Sequence, residues 1–193
     1  IKTCVVGVDM QADITHAFGI GLANEEEFDS LEDANASFQD TPSLYDFAQG
    51  KATLKDLVFK TELPTLDIIP ESAELVGLEA LLHTKFQREN WLKDNVITPL
   101  LKEYDFVIID SPPSWNLLVT NAITASDLLI SPAECKINHY RSIRHFNDFV
   151  EKFKAQAKAT FKHIYLPTKL FSNRKLSSEI RHFYLTNLPN TLT

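Results

Sequence analysis

The run Tyr104-Asp105-Phe106-Val107-Ile108-Ile109-Asp110-Ser111-Pro112-Pro113 constrains this chain more than any other segment. Four consecutive apolar residues lie between two carboxylates and are followed by paired prolines. A short apolar run bounded by turn residues predicts a fully buried strand of a parallel sheet. The prolines fix φ and push Ser111 and Pro112 away from helical geometry, so the strand ends in a loop of set shape. Asp110 then stands at the carboxyl end of a parallel strand, where open α/β sheets place their ligand chemistry.

The rest of the chain supplies companions for that strand. Cys4 to Val8 is apolar and β-branched and predicts a strand ending at Asp9. Further strands are expected at Leu66 to Ile69, closed by Pro70, at Asp127 to Ile130, ending at Ser131-Pro132, and at His163 to Leu166 before Pro167. Helical segments alternate with them. Residues 12–19 suit a short helix. Ser43 caps another with Asp46 three residues on, a capping-box spacing, and Gly50 stops it; Thr53 and Asp56 repeat the cap. Ser72 to Phe86 carries Leu75, Leu78 and Leu82 at helical spacing, and Glu89 to Leu101 forms a helix that Pro99 bends or ends. Ser114 is expected to cap a helix containing Leu117, Leu118 and Ala122. Residues 140–160 predict a long helix with Ile143, Phe146, Phe149, Val150 and Phe153 on one side and basic residues on the other. The last helix runs from Leu176 to Leu188, before Pro189. Strands alternating with helices imply an α/β fold: a three-layer sandwich with a mostly parallel sheet covered on both faces. A length of 193 residues suits one such domain or at most two.

Charge is distributed unevenly. Residues 1–135 carry 8 Lys/Arg against 23 Asp/Glu, a balance of −15, whereas residues 136–193 carry 11 against 3, a balance of +8. A uniformly acidic protein repels nucleic acid, but here the last third can present a basic face. The acids between Asn24 and Asp40 predict a solvated, mobile loop. The two cysteines, Cys4 and Cys135, adjoin apolar runs and are expected to be buried free thiols of a reducing compartment. No apolar run approaches the roughly 18 residues of a membrane span, so a soluble, cytoplasmic protein is expected.

Asp110 is the first candidate for chemistry. Four apolar residues leading to a strand-terminal carboxylate match a Walker B element, whose oxygens hold a hard cation such as Mg2+ directly or through water. The same pattern also describes a strand end whose Asp merely caps a loop. Asp9 is the second strand-terminal acid. If the two strands are neighbours, both acids enter one crevice, where a cation would reconcile them and its absence would raise one pKa. The phosphate-gripping element is missing: none of the five glycines belongs to a G-x-x-x-x-G-K-S/T loop. His139 and His145 have no cysteine or second acid placed to complete a metal site, and Ser111 has no nearby histidine for a hydrolase triad.

Taken in order, these segments resemble the ParA/Soj group of partition ATPases, within the deviant-Walker P-loop family that includes MinD. The matching runs are Val5 to Met10 with Gln11 to Gly19, Ser43 to Asp46 with Ala52 to Asp56, and Leu66 to Ser72. They continue with Tyr104 to Ser114, Asn121-Ala122 with Ala125 to Asp127, and Ile164 to Thr168. The resemblance implies a P-loop NTPase-like fold that binds ATP or ADP with Mg2+. It also implies a homodimer around two nucleotides, non-specific double-stranded DNA as a partner, a ParB-type centromere-binding protein that stimulates hydrolysis, and a nucleoid-associated location. Asp110 corresponds to the Walker B carboxylate, and Asp9 to an acid near the cation and the phosphate loop. Pro167, Thr168 and Asn173 belong to the loop expected near adenine. Lys152, Lys158, Arg174 and Lys175 are the DNA-contact candidates.

Two departures from the family pattern stand out. The deviant Walker A segment has no counterpart, and Met10 runs directly into Gln11 where the family has an intervening Asp-Pro carrying the water-activating acid. The pattern therefore predicts a single ATPase domain over residues 1–193, truncated at its N-terminus and lacking residues after Met10 and at its C-terminus. A MinD-like positioning ATPase would require a C-terminal amphipathic helix, for which Leu185 to Thr193 is too short. A degenerate, non-hydrolysing scaffold is the alternative if the phosphate loop is truly absent.

Overall fold

The computed structural model describes residues 1–19, 42–157, 159–171, 173–188 and 190–192. The acidic stretch Asn24 to Asp40, Lys158 and Pro189 lie outside the described residues. The chain divides into two compact units, Ile1–Ala125 and Ser126–Thr193.

The first unit is built on a four-stranded sheet. Its strands are β1 (Thr3–Gly7), β2 (Phe59–Lys60), β3 (Leu66–Ile69) and β4 (Phe106–Asp110), in the order β2-β3-β1-β4. β1 runs parallel to both β3 and β4, pairing Val6 with Ile69 and Gly7 with Asp110. β2 is antiparallel to β3 and only two residues long, too short to leave a period in the sequence.

Alternation of side chains divides this sheet into two faces. Cys4, Val6, Val8, Ile69, Val107 and Ile109 join the main core on one face. That core also takes in α2 (Leu44–Ala48), α3 (Leu75–His83) and α5 (Leu117–Ala125) through Leu44, Leu75, Leu78, Leu82, Leu118 and Ala122. The opposite face carries Phe106 and Ile108, which are 59% and 54% exposed. β4 is therefore parallel, as its apolar run predicts, but it is not fully buried. An unbroken apolar run records no distinction between its two faces.

Local rules hold well at the helix starts. α1 is a short helix, Asp13–Ala17. The Ser43–Asp46 capping box is formed, with the Asp46 N–H donating to Ser43 Oγ at 3.2 Å, and Thr53 with Asp56 repeats it before the 3-10 turn Leu54–Leu57. Gly50 ends α2 at φ +76°, a left-handed value that suits glycine. Ser114 does not cap α5. Asn116 does, accepting from the Val119 N–H at 2.8 Å, so the helix starts later than expected. The helix expected from Glu89 to Leu101 is composite: a 3-10 turn Arg88–Asn90, a π-helical segment Lys93–Ile97, and α4 (Thr98–Leu100). Pro99 lies in that last turn, and having no N–H it cannot donate to the carbonyl of Asn95.

The second unit holds β5 (Leu128–Glu134) and β6 (Lys162–Thr168), paired in parallel, with α6 (Ile137–Ala157) and α7 (Lys175–Asn187). Both strands outrun their expected ends. β5 continues through Pro132 to Glu134, and β6 through Pro167 to Thr168. A proline is tolerated in a strand where its nitrogen faces away from the ladder. Ala133, Cys135, Ile143, Tyr165, Ile180, Tyr184 and Leu188 form the core of this unit. Ile143 and Val150 of α6 are buried as expected, whereas Phe149 is 44% exposed. Cys4 and Cys135 are buried and unbridged, and burial pushes the Cys4 thiol up to about 12.

Candidate functional site

The parallel strands β3, β1 and β4 end side by side, and each is followed or terminated by an acid. β4 ends on Asp110, β1 is followed two residues later by Asp9, and β3 by Pro70 and then Glu71. The Val8 N–H donates to the Asp110 carbonyl at 2.8 Å, extending the β1–β4 ladder to the point where the site begins. Asp110 is half-buried. Burial pushes its carboxyl pKa up, and the negative fields of Glu71, Asp9 and Asp13 push it further, while a hydrogen bond from the Ser111 backbone pulls the other way. β1 and β4 are neighbouring strands, so Asp9 and Asp110 stand at adjacent strand ends.

Asp9 is partly committed to its own loop. Its Oδ1 accepts the Gln11 N–H at 3.0 Å and its carbonyl accepts the Ala12 N–H at 3.2 Å. This tight turn leads directly from Met10 into Gln11 and places Ala12 at φ +57°, the left-handed region that an L-residue enters at a cost of about 1–2 kcal/mol. α1 follows at once and is tied to the strand ends through Thr15. The Thr15 N–H donates to Glu71 Oε2 at 2.9 Å, the Thr15 hydroxyl donates to the same oxygen, and the Glu71 N–H donates back to Thr15 Oγ1 at 2.9 Å.

Glu71 is the residue that sequence reasoning missed. It is 4% exposed, and its second oxygen, Oε1, is buried with no hydrogen-bond partner. The carboxyl lies over Gly7: a Cβ at that position would stand 2.3 Å from Glu71 Cγ and Cδ and 2.6 Å from Oε1. Gly7 is thus required by close approach. The signal that could have found Glu71 is the one that found Asp9 and Asp110, an acid just beyond a predicted parallel strand.

These features suit a hydrated divalent cation. The orphaned Glu71 Oε1 provides an acceptor, and the missing Cβ of Gly7 makes the room that the Glu71 carboxyl occupies. Among the described residues no three His, Cys, Asp or Glu side chains converge as a direct-ligand cage. Mg2+ keeps several waters and takes one or two protein carboxylates, which Asp110 and Glu71 could supply.

The other candidates lie in the second unit. Pro167 and Thr168 close β6, and the Thr168 carbonyl accepts the Cys135 N–H at 3.0 Å. Asn173 is exposed in the following turn. Beside them is a cavity of about 280 Å3 lined by Cys135, Lys136, Ile137, Phe171, Arg174 and Ser177, among others. Arg174 stacks its guanidinium 5.0 Å from the Phe171 ring, and exposed Lys175 pairs with Glu179 at 3.7 Å. Lys152 is exposed on α6, 15 residues beyond its first residue, or about 22 Å along the axis. The cavity and Arg174 adjoin the opposite, N-terminal end of α6, so Lys152 does not cluster with Arg174 and Lys175.

No described helix is long and apolar enough to cross a membrane. A protein-family model described as an AAA domain matches residues 1–163. Chromosome partitioning protein ParA of Caulobacter vibrioides is 33% identical over 136 residues, covering 70% of this chain and 45% of that protein. The sporulation initiation inhibitor protein Soj of Bacillus subtilis is 32% identical over 135 residues, covering 70% of this chain and 47% of that protein. The chain spans under half the length of these curated relatives. Among solved structures, cobyrinic acid a,c-diamide synthase from Mycobacterium smegmatis, with bound ATP analog and magnesium, superposes with a TM-score of 0.77 at 22% identity, covering 98% of this chain and 71% of that one. At that identity the likeness concerns the fold. An α/β fold with parallel strands ending in acids, the family match over most of the chain and these relatives together place it: the chain belongs to the AAA domain family, in the ParA/Soj/MinD-like partition ATPase superfamily with its P-loop NTPase fold.

Proposed function

We propose that this chain carries the cation-binding side of a partition ATPase that binds ATP or ADP with Mg2+ and hydrolyses ATP. In this reading it acts as a homodimer on non-specific double-stranded DNA, is stimulated by a ParB-type partner, and associates with the nucleoid. The observation that supports the proposal is the placement of Asp110, Asp9 and Glu71 at or just beyond the carboxyl ends of three adjacent parallel strands. Asp110 holds the cation's shell, and Asp9 shapes the loop beside it. When bound, Mg2+ supplies positive charge that offsets charge developing on phosphate oxygens. Pro167 and Thr168 end β6, where the Thr168 carbonyl accepts the N–H of the cavity-lining Cys135, and Asn173 directly precedes the cavity-lining Arg174, a neighbourhood that suits a base. Lys152, Arg174 and Lys175 are exposed and cationic, which is sufficient for phosphate contacts that do not read sequence. Lys158 is retained as a DNA contact on its charge alone.

The test is ATP turnover of the full chain, with DNA and the partner present, for wild type and Asp110→Asn. The variant is expected to lose about a hundredfold in turnover. Wild-type turnover in the variant would remove Asp110 from the site. DNA binding is expected to require ATP and to weaken steeply with salt. Equal DNA binding with and without ATP would refute the switch.

A further inference from the structure

Resting on the assignment of Asp110 to a cation site, we propose that Glu71 is a second carboxylate of that site, its Oε1 accepting a hydrogen bond from the water shell of a divalent cation held at Asp110. Three observations carry this. First, Glu71 is 4% exposed, yet only one of its carboxylate oxygens is used by the protein; Oε2 takes the Thr15 backbone N–H and hydroxyl, while Oε1 is buried and unpaired. A buried carboxylate oxygen without a donor is costly, and a native fold keeps such an atom where something else satisfies it. Second, the carboxyl lies against Gly7, which pairs in register with Asp110. Partners in a parallel ladder project to the same face, so the Glu71 carboxyl and the Asp110 side chain are neighbours about one strand spacing, roughly 5 Å, apart. Third, among the described residues no Lys, Arg or His forms an ion pair with Asp9, Asp13, Glu71 or Asp110. Among the described residues, the negative charge assembled here is thus not offset by an ion pair.

The separation suits a hydrated ion. With metal–water distances near 2.0–2.1 Å, one octahedral shell can donate to two carboxylates about 5 Å apart. Because Oε2 is fixed to Thr15, an ion held in this way also fixes α1 and the turn from Asp9 to Ala12. In contrast to a site completed only by nucleotide phosphates, two protein carboxylates on one shell make cation binding measurable without nucleotide.

The experiment titrates Mn2+ into the nucleotide-free full chain and follows free Mn2+ by electron paramagnetic resonance. The proteins compared are wild type, Glu71→Gln, Asp110→Asn and Thr15→Val, each checked for folding by circular dichroism. Wild type is expected to bind one Mn2+. Glu71→Gln keeps the shape and one acceptor oxygen but loses the charge, and is expected to bind about 10–100-fold more weakly; Asp110→Asn is expected to weaken at least as much. Thr15→Val keeps the Glu71 carboxylate and is expected to stay within about threefold of wild type, well inside that range. Unchanged affinity in Glu71→Gln with a loss in Asp110→Asn overturns the role of Glu71 and leaves the cation site standing. Unchanged affinity in both variants, or no Mn2+ bound by wild type, overturns the Asp110 assignment as well. A loss in Thr15→Val equal to that in Glu71→Gln shows that Glu71 acts only as a structural tie, which also overturns the proposal.

Discussion

A methyl group added at Gly7 would enter space filled by the Glu71 side chain, 2.3 Å from both Cγ and Cδ. Non-bonded carbons settle near 3.5–4.0 Å, so one partner must move by more than about 1 Å. β1 cannot yield easily, because β3 and β4 hold it on both sides. Glu71 is the group displaced, and the hydrogen bonds from the Thr15 N–H and hydroxyl to its Oε2 break as it moves. Overpacking costs about 1–3 kcal/mol, and losing bonds to a charged group brings the total toward the upper end, so Gly7→Ala is expected to cost about 2–3 kcal/mol. In a Glu71→Ala background the obstructing atoms are gone. There the same substitution should lie within about 0.5 kcal/mol of neutral, since alanine is otherwise the better strand residue. The two positions should therefore show a coupling of about 2 kcal/mol in a double-mutant cycle. Urea unfolding followed by tryptophan fluorescence measures it, because both tryptophans, Trp91 and Trp115, belong to the first unit. Costs that add within about 0.5 kcal/mol would refute the contact and the account of why glycine stands at position 7.

Two further perturbations test the two units separately. In the second unit His163 is 2% exposed, with Nε2 2.9 Å from Ser131 Oγ, and burial pushes its pKa down from 6.5 to about 4. The unfolded chain takes up a proton that the folded one refuses. Stability is therefore complete above about pH 6.5 and falls as pH drops toward 4, by about 3 kcal/mol in all. Urea unfolding by circular dichroism at a series of pH values should show this slope in wild type and lose most of it in His163→Gln; equal slopes in the two would show that the imidazole is not held neutral. In the first unit Asn121 is 1% exposed and fully used, its Oδ1 accepting the Leu92 N–H at 3.0 Å and its Nδ2 reaching the carbonyls of Arg88 and Leu117 at 2.9 and 3.0 Å. Asn121→Leu strands a buried donor and should cost about 2–4 kcal/mol in urea unfolding; a loss under about 1 kcal/mol would mean that water or a rearranged backbone replaces the amide.

How far the sequence could be read depended on the range of the interaction that decides each element. Capping boxes at Ser43 and Thr53 need only residues three apart, and both are formed where the spacing put them. The cap of α5 went instead to Asn116, because Ser114 and Asn116 both carry suitable side chains and the proline pair sets where the chain can first turn helical. Strands defined by apolar runs were found at β1, β3 and β4, but their faces were not. Phe106 and Ile108 are as apolar as Val107 and Ile109, yet only the latter pair meets the core. β5 and β6 were cut short at prolines, since a sequence does not reveal which side of a proline faces the neighbouring strand.

The site was legible through one rule applied unevenly. An acid at or beyond the end of a parallel strand nominated Asp110 and Asp9, and the fields of Glu71 and Asp9 add to the burial that pushes the Asp110 pKa up. Applied to the strand closed by Pro70, the same rule would have nominated Glu71, whose field on Asp110 exceeds that of Asp9. Glu71 was not nominated because it falls between the strand closed by Pro70 and the helical segment that begins at Ser72. Only the register, with Gly7 opposite Asp110 and the Glu71 carboxyl folded over Gly7, turns that surface-seeming acid into a buried one. The same register gives the junction of Met10 with Gln11 its physical consequence. The loop after β1 closes in a turn with Ala12 left-handed, and α1 is then secured through Thr15 by Glu71 rather than by any acid of its own loop. Strand-end carboxylates in this chain thus have two duties, Asp110 facing the crevice and Glu71 joining the crevice to α1. If Glu71 serves the proposed cation site, a substitution there should be felt both at the ion and at α1, which it holds through Thr15.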